Sequence, residues 1–171
     1  MVRSVVFEIL QVLTVLLVAV AMALALAHAL ELPGKLRLSK EQYLAVQPIY
    51  YPGFTFGGMA EPAGLAMVLL LLCLTPLRSG AFWLTAGALA ALFAMHAAYW
   101  LVTHPVNNFW LKDFTPAAAG SRFFSFDPFR RTDDPRIAEW TRLRDHWEYS
   151  HLLRAGLGLT SLTLLAAAVA S

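Results

Sequence analysis

Cysteine is nearly absent: Cys73 stands alone, inside the run LAMVLLLLCLTPL. A single thiol excludes an intrachain disulfide and every metal motif built on cysteine pairs. Charge is scarce as well. Asp, Glu, Lys and Arg make up 14% of the 171 residues, against about 25% in an average soluble domain. The net charge of +2 gives no basic surface for a nucleic acid, so none is expected as a partner. No internal repeat and no low-complexity tract interrupts the chain.

Apolar residues fill the space that charge leaves. They reach 58% of the sequence, with a mean hydropathy of +0.59, and such a surplus calls for a lipid bilayer as solvent. Four segments meet the roughly 20-residue length of a membrane helix. They are residues 5–32, interrupted early by Glu8 and Gln11; residues 62–77, short but extendable over 57–60; residues 81–103; and residues 151–170. Ala27-His28-Ala29 imitates a signal-peptide cleavage site, but the apolar region before it far exceeds the usual length of about 7–15 residues. A retained helix is expected. The fold expected is therefore all-α, a four-transmembrane-helix bundle forming a single integral-membrane domain over residues 1–171.

Punctuation between the spans sets the topology. TPLRSG is a tight turn, so the second and third helices should be antiparallel neighbours. Pro33-Gly34 should end the first helix, and His104-Pro105 the third. YYPGFTFGG belongs to the first connection and should lie at the interface. In the last connection Asp134 suits a cap and Pro135 a first helical turn. One helix from Pro135 through the fourth span would be roughly 50 Å long and project from the membrane on one side.

The two ends of this bundle differ. Arg3 and Arg78 are the basic residues at the end holding both termini. Lys35, Arg37, Lys40, Lys112, Arg122, Arg130, Arg131, Arg136, Arg142, Arg144 and Arg154 lie at or near the other, which the positive-inside rule makes cytoplasmic. An integral-membrane location with that end in the cytoplasm is expected. All five histidines, His28, His96, His104, His146 and His151, fall in that same half. Any chemistry is expected there.

His28-x-x-Glu31 on the first helix faces Glu148-x-x-His151 on the antiparallel fourth, each pair on one helix face. With Glu61 and His104 they would close a ring. Carboxylate-bridged metal sites in helical bundles use Glu-x-x-His pairs, so His28, Glu31, Glu61, Glu148 and His151 are candidate ligands for one or two ions of iron, copper, manganese or zinc. Against this, the first pair is inverted, and polar residues at helix ends also simply reach for water. The alternative is metal-free acid/base use of the same residues. His96, about two turns inside the third span, is a candidate axial haem ligand or a histidine hydrogen-bonded to a neighbouring helix. Arg154 should pair with Glu31 or Glu61, since an unpaired arginine in a span is costly. Asn107 and Asn108 face the same mouth, or cap an Asx turn. Trp100, Trp110, Trp140, Trp147, Tyr50 and Tyr51 read as an interfacial belt or as the lining of a flat aromatic ligand.

HPVNNFW and HWEYSHLLRAGLGL resemble segments of a family of four-helix membrane proteins that includes the anthrone oxygenases. The matching residues are Pro105, Asn107 and Asn108, then Trp147, His151 and Arg154. Phe109-Trp110 departs from the family pattern, and HALELPGKLRL is similar to a bacterial subgroup without an assigned activity. The resemblance implies a membrane oxygenase or oxidoreductase acting on a hydrophobic aromatic small molecule with molecular oxygen. In a metal version the His and Glu ligands hold the ion. In a metal-free version a histidine, His104 among them, takes the acidic ring proton, and Arg154 with Asn107 stabilises the enolate. The alternative is a non-catalytic membrane protein, a homo-oligomer or an accessory subunit of a larger membrane complex.

Overall fold

In the computed structural model, residues 4–110 and 140–171 are described, and every regular element among them is helical. Helix α1 (Val5–Lys35) starts at Ser4, whose hydroxyl accepts from the Phe7 amide. A short α2 (Lys40–Val46) follows, opened by a capping box between Ser39 and Gln42. A 3-10 turn (Gln47–Tyr50) and α3 (Gly53–Gly58) lead into α4 (Ala60–Leu74). Helix α5 (Gly80–Ala98), capped by Ser79, continues through a π-helical turn (Tyr99–Thr103) into α6 (His104–Trp110). Helix α7 (Trp140–Ala170) completes the chain.

Four segments are long and apolar enough to cross a membrane: Val5–Lys35, Gly53–Leu74, Gly80–Asn107 and Trp140–Ala170. The protein is thus an all-α membrane protein built as a helical bundle. Each long helix buries one seam in steps of three and four. On α1 the seam is Gln11, Thr14, Val18, Ala21, Ala25 and His28; on α7 it is His151, Ala155, Gly158, Ser161, Leu165 and Ala168. That spacing is the heptad of left-handed bundles. The outer faces carry exposed Leu16, Leu70, Trp83, Phe93 and Leu152, suited to acyl chains. Seam hydroxyls are satisfied within the bundle: Thr14 and Thr85 bond carbonyls of their own helices, and Ser161 donates to Ala88 O across to α5 at 2.8 Å.

Around the bundle α1 contacts α4 and α7, and α5 contacts the same two. All neighbours are antiparallel, which sets His28 near the end of α1 beside His151 on α7. Two helix ends differ from the sequence expectation. Helix α1 does not stop at Pro33 but runs one turn on to Lys35, where the lysine, expected among the solvated loop charges, is buried against Glu31, His28 and Glu148. There Lys35 makes its ion pairs with Glu31 and Glu148 despite the hydrogen bond that Pro33 removes. Nor does the third span end at His104-Pro105. The π-helical turn, in which the His104 amide bonds Tyr99 O, places Pro105 in the first turn of α6, where its missing N–H costs nothing. The expected helical residues 135–139, Asp134 and Trp110's side chain lie outside the described structure.

Candidate functional site

At the histidine end of the bundle, α1, α7 and the α2–α3 connection converge on Lys35. Its Nζ lies 2.9 Å from Glu31 Oε2, 3.1 Å from His28 Nδ1 and 3.5 Å from Glu148 Oε1. The rings of Tyr50 and Trp147 face the ammonium at 4.7 and 5.1 Å. Tyr43 donates to Glu148 Oε1 at 2.9 Å and Tyr50 to Glu31 Oε2 at 2.6 Å. Burial raises both phenols above the ordinary tyrosine range, and the neighbouring carboxylates push them further the same way. Both therefore stay protonated as donors.

Deeper in the bundle lies a cavity of about 280 Å³, near the lower end of ligand-pocket sizes. Its aromatic walls include Tyr50, Tyr51, Phe54, Tyr99, Trp100 and Trp147. Burial pushes the Tyr51 phenol up to about 12. The polar side of the cavity is a chain of contacts among Trp100, His96, Glu61, Arg154 and His151. Trp100 Nε1 donates to His96 Nε2 at 3.0 Å, and His96 Nδ1 bonds Glu61 Oε1 at 2.9 Å. Arg154 Nη2 donates to Glu61 Oε2 at 2.6 Å, and its Nη1 stands 3.4 Å from His151 Nδ1.

His151 and His28 lie against one another, ring centroids 4.1 Å apart and planes inclined by 33°. Each has a cationic donor at Nδ1, Arg154 for the one and Lys35 for the other. These partners assign both rings as neutral, with the proton on Nε2. Among the described residues, the buried side-chain atoms without a hydrogen-bond partner include His151 Nε2, Arg154 Nε and Thr55 Oγ1 beside the cavity, with Gln47 Nε2 and Glu148 Oε2 away from it. Leaving such donors unmet costs about 1–3 kcal/mol each. His151, Arg154 and Thr55 border the cavity, so a hydrogen-bond acceptor placed there could meet their donors.

The residues singled out in the sequence divide between these two layers. His28 and His151 meet, as their antiparallel spacing predicts. Glu31 and Glu148 converge on Lys35, while Glu61 turns to Arg154 and His96. Asn107 is helical, not an Asx cap, and its Oδ1 accepts from Trp147 Nε1 at 2.6 Å on the cavity wall. His104 is fully buried behind the wall, its Nδ1 3.4 Å from Tyr99 OH and its ring 4.8 Å from that of Trp100. His104 does not border the cavity. Both ring nitrogens of His96 are engaged, which leaves neither for an iron. His146 is exposed. Trp147 and Tyr50, read first as interfacial belt, are buried at the site.

Metal ligation asks for several donors about one point. Among the described residues no group of three His, Cys, Asp or Glu side chains is so arranged. The place between His28, Glu31 and Glu148 is held by the Lys35 ammonium. The donor set does not fit an ion there.

Lys35, Tyr43 and Tyr99 were not candidates from sequence. For Lys35 a signal exists: it stands seven residues after His28 and four after Glu31, on the same helix face, provided the helix survives Pro33.

Comparison of the chain with protein-family profiles, with characterised proteins and with solved structures yields no match.

Proposed function

We propose that the protein is a membrane-embedded oxygenase or oxidoreductase acting, without a metal, on a lipophilic aromatic molecule that carries a carbonyl oxygen. One observation supports this above the others: an aromatic-walled cavity bordered by two partnerless buried donors, His151 Nε2 and Arg154 Nε. The resemblance of HPVNNFW and HWEYSHLLR to the anthrone-oxygenase family points to the same substrate class. In that chemistry an anthrone loses a proton from its central ring carbon, and the resulting enolate reacts with dioxygen. Anthrone and one dioxygen give anthraquinone and one water. The donors would hold the carbonyl oxygen and stabilise the charge that develops on it. Lys35 favours the metal-free version, since it already supplies the positive charge between His28, Glu31 and Glu148. Under this reading the histidine end faces the cytoplasm of a bacterial inner membrane.

The test is oxygen uptake and quinone formation by the protein in lipid nanodiscs supplied with anthrone. One dioxygen should be consumed per quinone, at a rate unaffected by a metal chelator. Arg154→Ala should lower the rate by about 10²–10³-fold. A rate equal to that of empty nanodiscs would refute the oxygenase. Should the molecule then still bind, the protein would be a non-catalytic binding protein, and the Lys35 cluster a seal at the helix ends.

A further inference from the structure

We infer that the Glu61 carboxylate takes the proton from the ligand's acidic carbon, while Arg154 and His151 hold the oxygen on which the charge accumulates. This rests on the proposed site for a carbonyl-bearing aromatic molecule and changes which residue acts as base within it.

A histidine is the first base that comes to mind in a histidine-rich site, and here each one is blocked. His28 and His151 have Lys35 and Arg154 at Nδ1, so each offers the cavity an N–H, not a lone pair. Protonating either would place a third positive charge beside two existing cations. His96 has a partner on both ring nitrogens, and His104 lies off the cavity. Among the described residues that border the cavity, Glu61 is the carboxylate. It is 4% exposed and accepts two hydrogen bonds, from His96 and Arg154. A carboxylate offers about four acceptor positions, so lone pairs remain for a proton.

Charge also favours this assignment. Before the step the site holds Glu61 as an anion, Arg154 as a cation and a neutral ligand. The C–H bond breaks, its proton bonds to a Glu61 oxygen, and the electron pair moves onto the carbonyl oxygen. Afterwards Glu61 is neutral and the ligand is the anion, with Arg154 still beside both. The net charge is unchanged, and the negative charge moves only from one partner of the guanidinium to another. In a low-dielectric interior such an exchange avoids the separation of charge that a neutral base would create.

Proton transfer can be read without oxygen. The protein in nanodiscs, kept anaerobic in deuterated buffer, is given anthrone, and exchange of the ring methylene protons is followed by proton NMR. Quenching of the cavity tryptophans reports binding separately. The wild type should accelerate exchange over empty nanodiscs, and Glu61→Gln should bind anthrone yet lose about 10²-fold or more of that rate. His28→Gln, at saturating anthrone, should keep exchange within about tenfold of wild type. Glu61→Gln exchanging at the wild-type rate, or His28→Gln abolishing exchange, would overturn the assignment. Should Glu61→Gln fail to fold, Glu61→Asp decides: its shorter carboxylate should retain a reduced rate, and an undiminished one would overturn the role. Exchange without oxygen uptake in air would sink the oxygenase and leave Glu61 as the base. Oxygen uptake with exchange indifferent to Glu61 would do the reverse. Binding with no exchange by the wild type would sink Glu61 as well.

Discussion

Glu61 and Arg154 are each almost removed from solvent, with side chains 6% and 11% exposed, and they meet at 2.6 Å. Taking away one partner leaves the other charge buried alone. Glu61→Ala should therefore destabilise the protein by about 3–5 kcal/mol. Replacing both with leucine should recover most of that loss, because the desolvation of both charges disappears together. Thermal unfolding in detergent of the single and double variants reads the difference. Tyr51 supplies a second residue-level test. Its phenol is held up to about 12, against 10.0 for an unperturbed tyrosine. As pH rises past 10 the unfolded chain loses this proton while the folded one keeps it, so stability falls between pH 10 and 12. Tyr51→Phe should flatten that part of the pH profile of the melting temperature.

At the scale of the helices, the contact between α1 and α7 depends on Gly158. A Cβ there would stand 3.1 Å from Met22 Cβ and 3.2 Å from its Cα. Backbone gives little, so Gly158→Val should cost about 1–3 kcal/mol and disturb the register of His28 against His151. Gly156, two residues away with nothing within 4 Å, is the control. Gly156→Ala should stabilise by up to about 1 kcal/mol through helix propensity alone. Heat-induced unfolding of the two variants in the same detergent checks both directions.

The helices also show where the sequence was informative. Spans, antiparallel order and the pairing of His28 with His151 follow from hydropathy and spacing, because lipid leaves helices few alternatives. Both proline boundaries differ from the local rule, since a missing N–H says nothing of Lys35's buried partners or of a π-helical turn that accommodates Pro105. Arg154 pairs with Glu61, one of the two acids expected for it, but the choice between Glu61 and Glu31, like the pairing of Glu148 with Lys35, lay beyond the sequence for a related reason. Several acids and cations share one membrane level, and only the bundle's rotation about each helix axis decides which of them meet.

For the whole molecule, the bundle sorts its rare polar groups into two layers at one end. The outer layer gathers Glu31, Glu148 and two phenols around Lys35. The inner layer keeps two donors unmet beside an apolar, aromatic space, and the account rests on what those donors are for. Anthraquinone and anthracene have the same flat three-ring frame, but only the quinone carries oxygen acceptors. Titration of both into nanodiscs, with tryptophan quenching corrected for lipid partitioning, compares them for wild type and Arg154→Met. The wild type should bind the quinone at least about tenfold more tightly, a margin of about 1.4 kcal/mol. That preference should vanish in Arg154→Met while anthracene binding persists. Equal affinities in the wild type, or a preference that survives the loss of Arg154, would contradict the account.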